Sequence, residues 1–472
     1  MAGSRKSRPS DSATHLERDV AARLDSYLRP GTHVTVALSG GIDSVVLLDC
    51  LTQLSNERSF DLAALHVDHG LSPNAGAWAK FCEDLCRTRN VPLTIAKVDV
   101  RLATGESPEA AARRARYQAF RRHVSGTLVL AHHLDDQAET LLLQLLRGAG
   151  PRGAAAMPVT RHETPGSDRA EPFTVARPLL SVPRSKLEAY ARERGLQWVE
   201  DESNADTALD RNYLRMRVLP LVEARFPGYR EALGRSAELF GEAAWLLDEL
   251  AVLDGAHGVQ DGTLDIETLR ALPESRARNL LRWFLRQSGA QAPSAKRLAE
   301  AVRQLVSARA GRRVRIAIGS RELHRHAGRV YLVDSTPQTA AAVIWTGEAV
   351  LSAPGGIGTL HFSRADGAGV AAARLVGQHV ELRLRAGGER IQPDCRRPRR
   401  TLKNLLQEAR VATWQRARMP LLFCDGELVW VPGIGIDCAW QAAEGESGIL
   451  PEWDYPPGQS GRAGTGPLQS NP

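Results

Sequence analysis

The chain has 472 residues, a formal net charge of +7 at pH 7 and a pI near 9.3. No apolar run approaches the ~20 residues that cross a bilayer, and six cysteines over this length do not make the disulfide framework of a small secreted protein. At ~100–200 residues per domain, about three domains are expected. The basic balance points to a polyanionic partner, nucleic acid above all. Met1 to Thr14 is polar and basic, without the apolar centre of a secretory signal, so residues 1–15 read as a disordered tail. The Gly-, Pro-, Ser- and Gln-rich stretch 456–472 reads the same way. A cytoplasmic protein with no membrane attachment is the default expectation.

In chain order, His33 to Leu38 has the β-branched content of a strand. A Gly-rich turn follows, then a helical run from Ile42 to Leu54. Leu62 to Val67 predicts a second strand, Ala75 to Asn90 a helix and Val91 to Val98 a third strand. Ser107-Pro108-Glu109 is an N-cap followed by proline at the first helical position, opening a helix to His123. Thr127 to Ala131 predicts a fourth strand and Asp135 to Leu146 a helix; Arg161 to Glu171 reads as a surface loop and Pro183 to Gly195 as a helix. Strands alternating with helices predict an α/β, doubly wound parallel sheet over residues 16–220. Gly228 to Leu253, Leu264 to Gln287 and Pro293 to Ala308 predict a mainly helical domain over 221–335, with a hairpin from Arg313 to Val333. The stretch 336–375, Ala/Gly-rich with short strand-like pieces, reads as a linker, and 376–455 as a small α+β domain.

Ligands of such sheets bind beyond the carboxyl ends of the strands. Three polar segments fall there: Ser39-Gly40-Gly41-Ile42-Asp43-Ser44, Asp68-His69-Gly70 and His132-His133. In the first, glycines let the backbone approach a phosphate, the helix N-terminus supplies free N–H groups, and Ser39 and Ser44 add hydroxyl donors. Asp43 is out of place in an anion site unless it helps to hold a Mg²⁺ accompanying the phosphate. In His132-His133-Leu134-Asp135-Asp136-Gln137-Ala138-Glu139-Thr140, Asp136 and Glu139 share a helix face. Such a pair can bind an ammonium group or accept the proton an amine loses before attack; helix-start charge complementing the dipole is the plainer alternative. The histidines could instead ligate a metal together with His66, Asp68 and His69. Cys82 and Cys86, with no second Cys/His pair at zinc-site spacing, read as packing thiols.

The first hexapeptide resembles the Ser-Gly-Gly-x-Asp-Ser signature of the PP-loop, or N-type, ATP pyrophosphatases. The resemblance implies cleavage of ATP between its α and β phosphates, transfer of AMP to a carbonyl oxygen and release of pyrophosphate. The second motif resembles a stretch shared by the tRNA(Ile)-lysidine synthetases and one group of tRNA thiolases. Those thiolases carry a Cys-x-x-Cys pair that this chain lacks. The stretches 201–206 and Arg211-Asn212-Tyr213-Leu214-Arg215, the helix 109–117, Arg177-Pro178-Leu179-Leu180, and Gly387-Gly388-Glu389-Arg390 with Val431-Pro432-Gly433 are similar to those of the synthetases.

That resemblance implies ligation of free L-lysine to C2 of the wobble cytidine of a tRNA(Ile) with a CAU anticodon, with ATP and Mg²⁺ as cofactors. Ser39 to Ser44 would hold the phosphates, with Asp43 on the Mg²⁺ side. His133, Asp136 and Glu139 would line the lysine site, and Arg113 and Arg211 would face phosphate, carboxylate or the target nucleotide. Arg396, Arg397, Arg399, Arg400 and Lys403 form a cationic run that reads as a clamp on tRNA backbone. Trp414, with Arg416 and Arg418, either stacks on bases or belongs to a core. A homodimer stays open. A PP-loop tRNA cytidine thiolase, a metal-dependent phosphohydrolase and a non-catalytic tRNA-binding protein are the rival readings.

Overall fold

The computed structural model describes residues 11–454 apart from 30, 104, 164–170, 203–205, 310–311, 313 and 336–339. By internal contacts the chain divides into two compact units, one through Leu246 and one from Leu247.

The first unit opens with α1 (Asp11–Asp25), so helix begins inside the stretch expected to be a tail. There follow β1 (His33–Ala37), α2 (Ile42–Arg58), β2 (Asp61–Asp68), α3 (Ala75–Thr88), β3 (Leu93–Lys97), α4 (Pro108–His123), β4 (Gly126–Val129) and α5 (Leu134–Leu146). Then come α6 (Pro151–Ala154), β5 (Thr160–Glu163), β6 (Phe173–Ala176), α7 (Arg184–Glu193) and α8 (Asp210–Tyr213). A π-helical turn (Leu214–Val218), α9 (Leu219–Arg225) and α10 (Tyr229–Gly255) complete the series, α10 running on past Leu246. The sheet order is β3-β2-β1-β4-β6-β5. The first five strands pair in parallel and β5 closes one edge antiparallel to β6. The parallel, doubly wound expectation holds. The start of the expected loop from Arg161 is instead this edge strand, whose polar Thr-Arg-His-Glu composition hid it; the rest of that loop lies outside the described residues. Strand order reverses between β1 and β4, which opens a crevice at their carboxyl ends.

Helix α2 is buried on nearly every side, which is why its sequence lacks an amphipathic stripe. Its one buried acid, Asp49, is paired with Arg89 (3.1 Å) and Arg194 (3.3 Å) and accepts from the Tyr190 hydroxyl (3.0 Å). The middle of α2 is thereby tied to the end of α3 and to α7.

The second unit continues with β7 (Val259–Gln260), β8 (Thr263–Asp265), α11 (Ile266–Ala271), α12 (Glu274–Gln287), α13 (Ala295–Ser307), β9 (Val314–Ile318), β10 (Arg321–His326) and β11 (Arg329–Asp334). The single helix expected from Leu264 to Gln287 is a strand and two helices. Asp265 caps the first helix and Pro273 separates it from the second. The expected hairpin is three strands of a five-stranded sheet ordered β7-β8-β11-β10-β9.

Beyond it lie β12 (Val343–Ile344), β13 (Val350–Ser352), β14 (Thr359–Asp366), β15 (Val370–Ala371), α14 (Ala372–Leu375), β16 (Val380–Leu384), β17 (Arg390–Ile391) and β18 (Arg400–Thr401). The last elements are α15 (Leu402–Glu408), α16 (Thr413–Arg418), β19 (Pro420–Cys424), β20 (Glu427–Val431), β21 (Gly435–Ile436) and β22 (Ser447–Asp454). The stretch 336–375, expected as a linker, supplies four strands to the sheets β12-β16-β19-β20-β21 and β13-β14-β22-β15. Ala353, Leu360, Val370 and Leu375 share one core with Val380, Leu382 and Trp430. Three of the four strands in this stretch have only two or three residues, and the Ala and Gly lie mostly in the connections between them, so alternation carries little signal. Cys395 and Cys438 are joined as a disulfide, while Cys50, Cys82, Cys86 and Cys424 are free and buried. No helix among the described residues is long and apolar enough to cross a membrane.

Candidate active site

Between β1 and α2 the chain turns through Gly40 at φ +88°, a conformation that favours glycine. A Cβ on Gly40 would also lie 2.8 Å from Val199 Cγ2. Gly41 is the N-cap of α2 and offers no side chain to its first amides, which are left open to an anion. Ser44 is buried; its hydroxyl donates to the Gly41 carbonyl (2.9 Å) and accepts from the Ser39 N–H (3.2 Å). It closes the turn, while Ser39 stays exposed at the mouth. Ile42 points into the core.

At the neighbouring strand, His133 is the N-cap of α5 in a reciprocal capping box with Asp136. The Asp136 N–H donates to His133 Nδ1 (3.4 Å), and the His133 N–H donates to Asp136 Oδ2 (3.1 Å). The other ring nitrogen, Nε2, lies 3.6 Å from Asp43 Oδ2 and 3.5 Å from Asp136 Oδ2. This ring therefore ties the phosphate-loop turn to the second motif. Burial opposes a charge on His133, but Asp136, Asp43 and Asp135 outweigh it and hold its pKa above the ordinary histidine value. Asp43 Oδ1 is buried without a hydrogen-bond partner.

One helical turn along α5, the Glu139 carboxylate is 1 % exposed and faces two guanidiniums. Arg211 Nε donates to Oε2 (2.9 Å); Arg215 donates from Nε to Oε1 (2.7 Å) and from Nη2 to Oε2 (3.0 Å). Arg211 also donates to Thr140 Oγ1 (2.8 Å), and Arg215 stands 3.4 Å from Asp136 Oδ1. Glu139, expected to face lysine, is thus engaged by arginines. Arg215 is a site residue that the sequence reading quoted only as part of a motif; its i,i+4 spacing from Arg211 was the available signal.

Arg113, on α4, has its guanidinium 5.3 Å from the Tyr117 ring centroid. His132 is pushed down to about 3, by burial and by Arg177, Arg211 and Arg113 against the opposing pull of Asp136. Of the stretch expected around 201–206, residues 203–205 lie outside the described residues. Asn74 Nδ2 donates to Glu202, and Asn212 Nδ2 to the Asp206 carbonyl (2.9 Å).

In the second unit the basic run is largely mated. Arg397 pairs with Asp394 (3.2 Å), Arg399 with the buried Asp437 (2.8 Å) and Arg400 with Glu408 (Nη1 to Oε2, 2.9 Å). Asp437 also accepts from the Gln392 N–H (2.9 Å) and the Ala439 N–H (3.1 Å). Lys403 lines a pocket of about 290 Å³ with Arg385, Gly387, Thr413 and Arg416. Trp414 is buried against His324 (4.7 Å between centroids) and Tyr331 (5.0 Å), so it is a core residue and offers no face to a base. Arg418 is buried as well, donating to the Asp334 carbonyl.

Comparison with known proteins adds three family matches: a PP-loop domain over residues 12–222, a TilS substrate binding domain over 264–331 and a TilS substrate C-terminal domain over 380–453. The chain is 47 % identical over 432 residues to the tRNA(Ile)-lysidine synthase of Nitrosomonas europaea, covering 91 % of this chain and 93 % of that one. It is 43 % identical to the enzyme of that name from Azoarcus sp., over 90 % and 92 % of the two chains. With the one from Shigella flexneri it shares 38 % identity over 91 % and 98 %. Among solved structures, the U34-tRNA thiolase NcsA from Methanococcus maripaludis is similar at 17 % identity and a TM-score of 0.41, over 49 % of this chain and 80 % of that one.

Proposed function

Because this chain belongs to the tRNA(Ile)-lysidine synthase family of PP-loop enzymes, we propose that it ligates free L-lysine, in the cytoplasm, to C2 of the wobble cytidine in a tRNA(Ile) bearing CAU. The observation that carries the reading is the His133 bridge between Asp43 and Asp136. It joins a turn suited to a triphosphate to a carboxylate suited to an amine.

The C2 oxygen of a cytosine does not leave by itself. Its attack on the α-phosphorus of ATP forms the C2–O–P bond, breaks the bond to the bridging oxygen and releases pyrophosphate. The open amides after Gly41 hold the phosphates through this step. A Mg²⁺ fits the donor set, since Asp43, in the first turn of α2, has a buried Oδ1 without a partner, and Mg²⁺ needs only one or two carboxylates beside phosphate and water. Asp43 would hold it, and it would supply charge neutralisation of the phosphates.

The ε-amine of lysine, ordinarily protonated at pH 7 with a pKa of ~10.4, then attacks C2. The C2–N bond forms, AMP leaves with the former C2 oxygen, and the amine's protons pass to the carboxylate side of the site. Asp136 receives the ammonium, with His133 beside it. Glu139 holds Arg211 and Arg215 in register with the reacting centre, so its part is to position them. Proximity of amine and adenylate provides much of the acceleration.

The test is incorporation of labelled lysine into a tRNA(Ile) transcript with CAU in the presence of ATP, against a matched tRNA(Met). Label in the first alone is the expected result; label in neither, with ATP consumed, would sink the reading.

A further inference from the structure

A further cluster, built around Tyr117 and including Arg113, stands at the carboxyl edge of the first unit. Tyr117 of α4 is flanked by two guanidiniums, Arg113 at 5.3 Å and Arg161 of β5 at 5.2 Å from the ring centroid. Arg177, directly after β6, is 1 % exposed and donates from Nη1 to the Pro158 carbonyl (2.8 Å) and from Nε to His132 Nδ1 (3.3 Å). Arg116, the neighbour of Tyr117, donates to His69 Nε2 (3.4 Å). Three polar atoms here are buried and lack a partner of good geometry: the Tyr117 hydroxyl, Arg161 Nε and His69 Nδ1. Glu163 is the nearby acid, and it is occupied by Arg161 and Arg121. Arg113, Arg116 and Arg177 form no ion pair among the described residues.

Of these guanidiniums Arg177 alone is buried, and a buried guanidinium without a carboxylate is costly unless an anion completes it; Arg113 and Arg116 are exposed beside it and open to a ligand. Unsatisfied buried polar groups in the same place need the same explanation. The triphosphate already has the turn after β1. A lysine carboxylate would be met in full by one bidentate arginine. Several guanidiniums interleaved with an aromatic ring suit a nucleotide chain, whose phosphates take the charge and whose bases stack on planar groups.

We propose that Arg113, Arg116, Tyr117, Arg161 and Arg177 form a subsite for the RNA phosphodiester next to the modified nucleotide. This rests on the lysine-ligating reading of the same site and names what holds the target nucleotide there.

The experiment measures binding of a tRNA(Ile) transcript with CAU to the full chain at several salt concentrations, together with KM for ATP and for lysine. The double variant Arg116→Gln/Arg161→Gln should weaken RNA binding by about tenfold and flatten the salt dependence by about one to two phosphate contacts. KM for ATP and lysine should stay within about twofold, since the variant removes contacts that neither small substrate makes. Tyr117→Phe keeps the ring, guards against a folding artefact, and should weaken RNA binding by a few fold with an unchanged melting temperature. Unchanged RNA affinity and salt slope would overturn the proposal. If KM for lysine or ATP then rose, the cluster would belong to that substrate; if nothing moved, it would be structural. The subsite and the reaction fail separately: wild-type RNA binding that depends on these arginines, without lysine incorporation, would sink the reaction and leave the subsite.

Discussion

Two arginine clusters, one in each unit, are built in opposite ways. In the second, the sequence packs arginines densely at 396–400, yet Arg397, Arg399 and Arg400 each face a carboxylate. In the first, Arg113, Arg116 and Arg177 are scattered over the sequence and gather without one. Charge density along a chain therefore says little about charge that is available to a ligand. What matters is whether the fold supplies a counter-ion, and that is settled only in three dimensions.

Four changes would break or sharpen this contrast. The largest effect belongs to Glu139, the deeply buried carboxylate that holds both Arg211 and Arg215 at the active edge. Glu139→Gln should lower turnover by at least about a hundredfold, because Arg211 and Arg215 lose their register. Leaving buried charges unpaired should also cost about 3–5 kcal/mol of stability, read by denaturant unfolding. Near-normal turnover would show that the two arginines position themselves.

Arg399→Gln should be next, and it should act on folding. Asp437 keeps its two backbone donors but loses its guanidinium, a cost of about 1–3 kcal/mol, seen as a lower denaturation midpoint. RNA affinity, measured where the variant is folded, should change by less than about twofold. A large loss of affinity would mean that Arg399 trades Asp437 for phosphate.

Arg396 and Lys403, which make no ion pair among the described residues, should behave in the reverse manner. Replacing both with Gln should weaken RNA binding by about two- to fivefold and reduce the salt slope by about two, without altering the midpoint. The smallest effect is a pH dependence. Burial would raise the Asp437 carboxyl, but Arg399 and two backbone N–H groups outweigh this and hold it below its ordinary 3.8. A depressed folded value gives stability that is complete above the unfolded value and is lost as pH falls through the lowered one. Unfolding of wild type should therefore become easier below about pH 4, and Asp437→Asn should flatten that slope.

The first unit was largely legible in the sequence because its signals are local. A β-branched run, a Gly-Gly turn and an apolar helix fall within a few residues of each other, and the two motifs mark strand ends. His133, Asp136, Glu139 and Arg211 could be named for the same reason. Partnership could not be read. Nothing in the sequence pairs Glu139 with Arg215, or places Arg161 over Tyr117, since these contacts join α4, α5, β5 and the π-helical turn. Trp414 stayed open between base stacking and core because arginines flank it, and its ring packs on the sheet carrying His324 and Tyr331. The stretch from 336 to 375 hid its strands for two reasons: β12, β13 and β15 have two or three residues at sheet edges, too few side chains to show a period of two, and the eight-residue β14 alternates only over its first half.

The hydrogen bond from the Val199 N–H to the Gly40 carbonyl (3.0 Å) has a bearing on speed. A distant segment grips the phosphate turn by its backbone, and the missing Cβ of Gly40 is the gap into which Val199 fits. The amides that greet a nucleotide are consequently a hard mould cast when the chain folds. An arriving triphosphate has little backbone left to organise, so its binding energy remains for aligning the α-phosphorus with its attacker. A side chain at position 40 would convert that mould into a hinge, and would slow the first bond-making step before it loosened the grip on ATP.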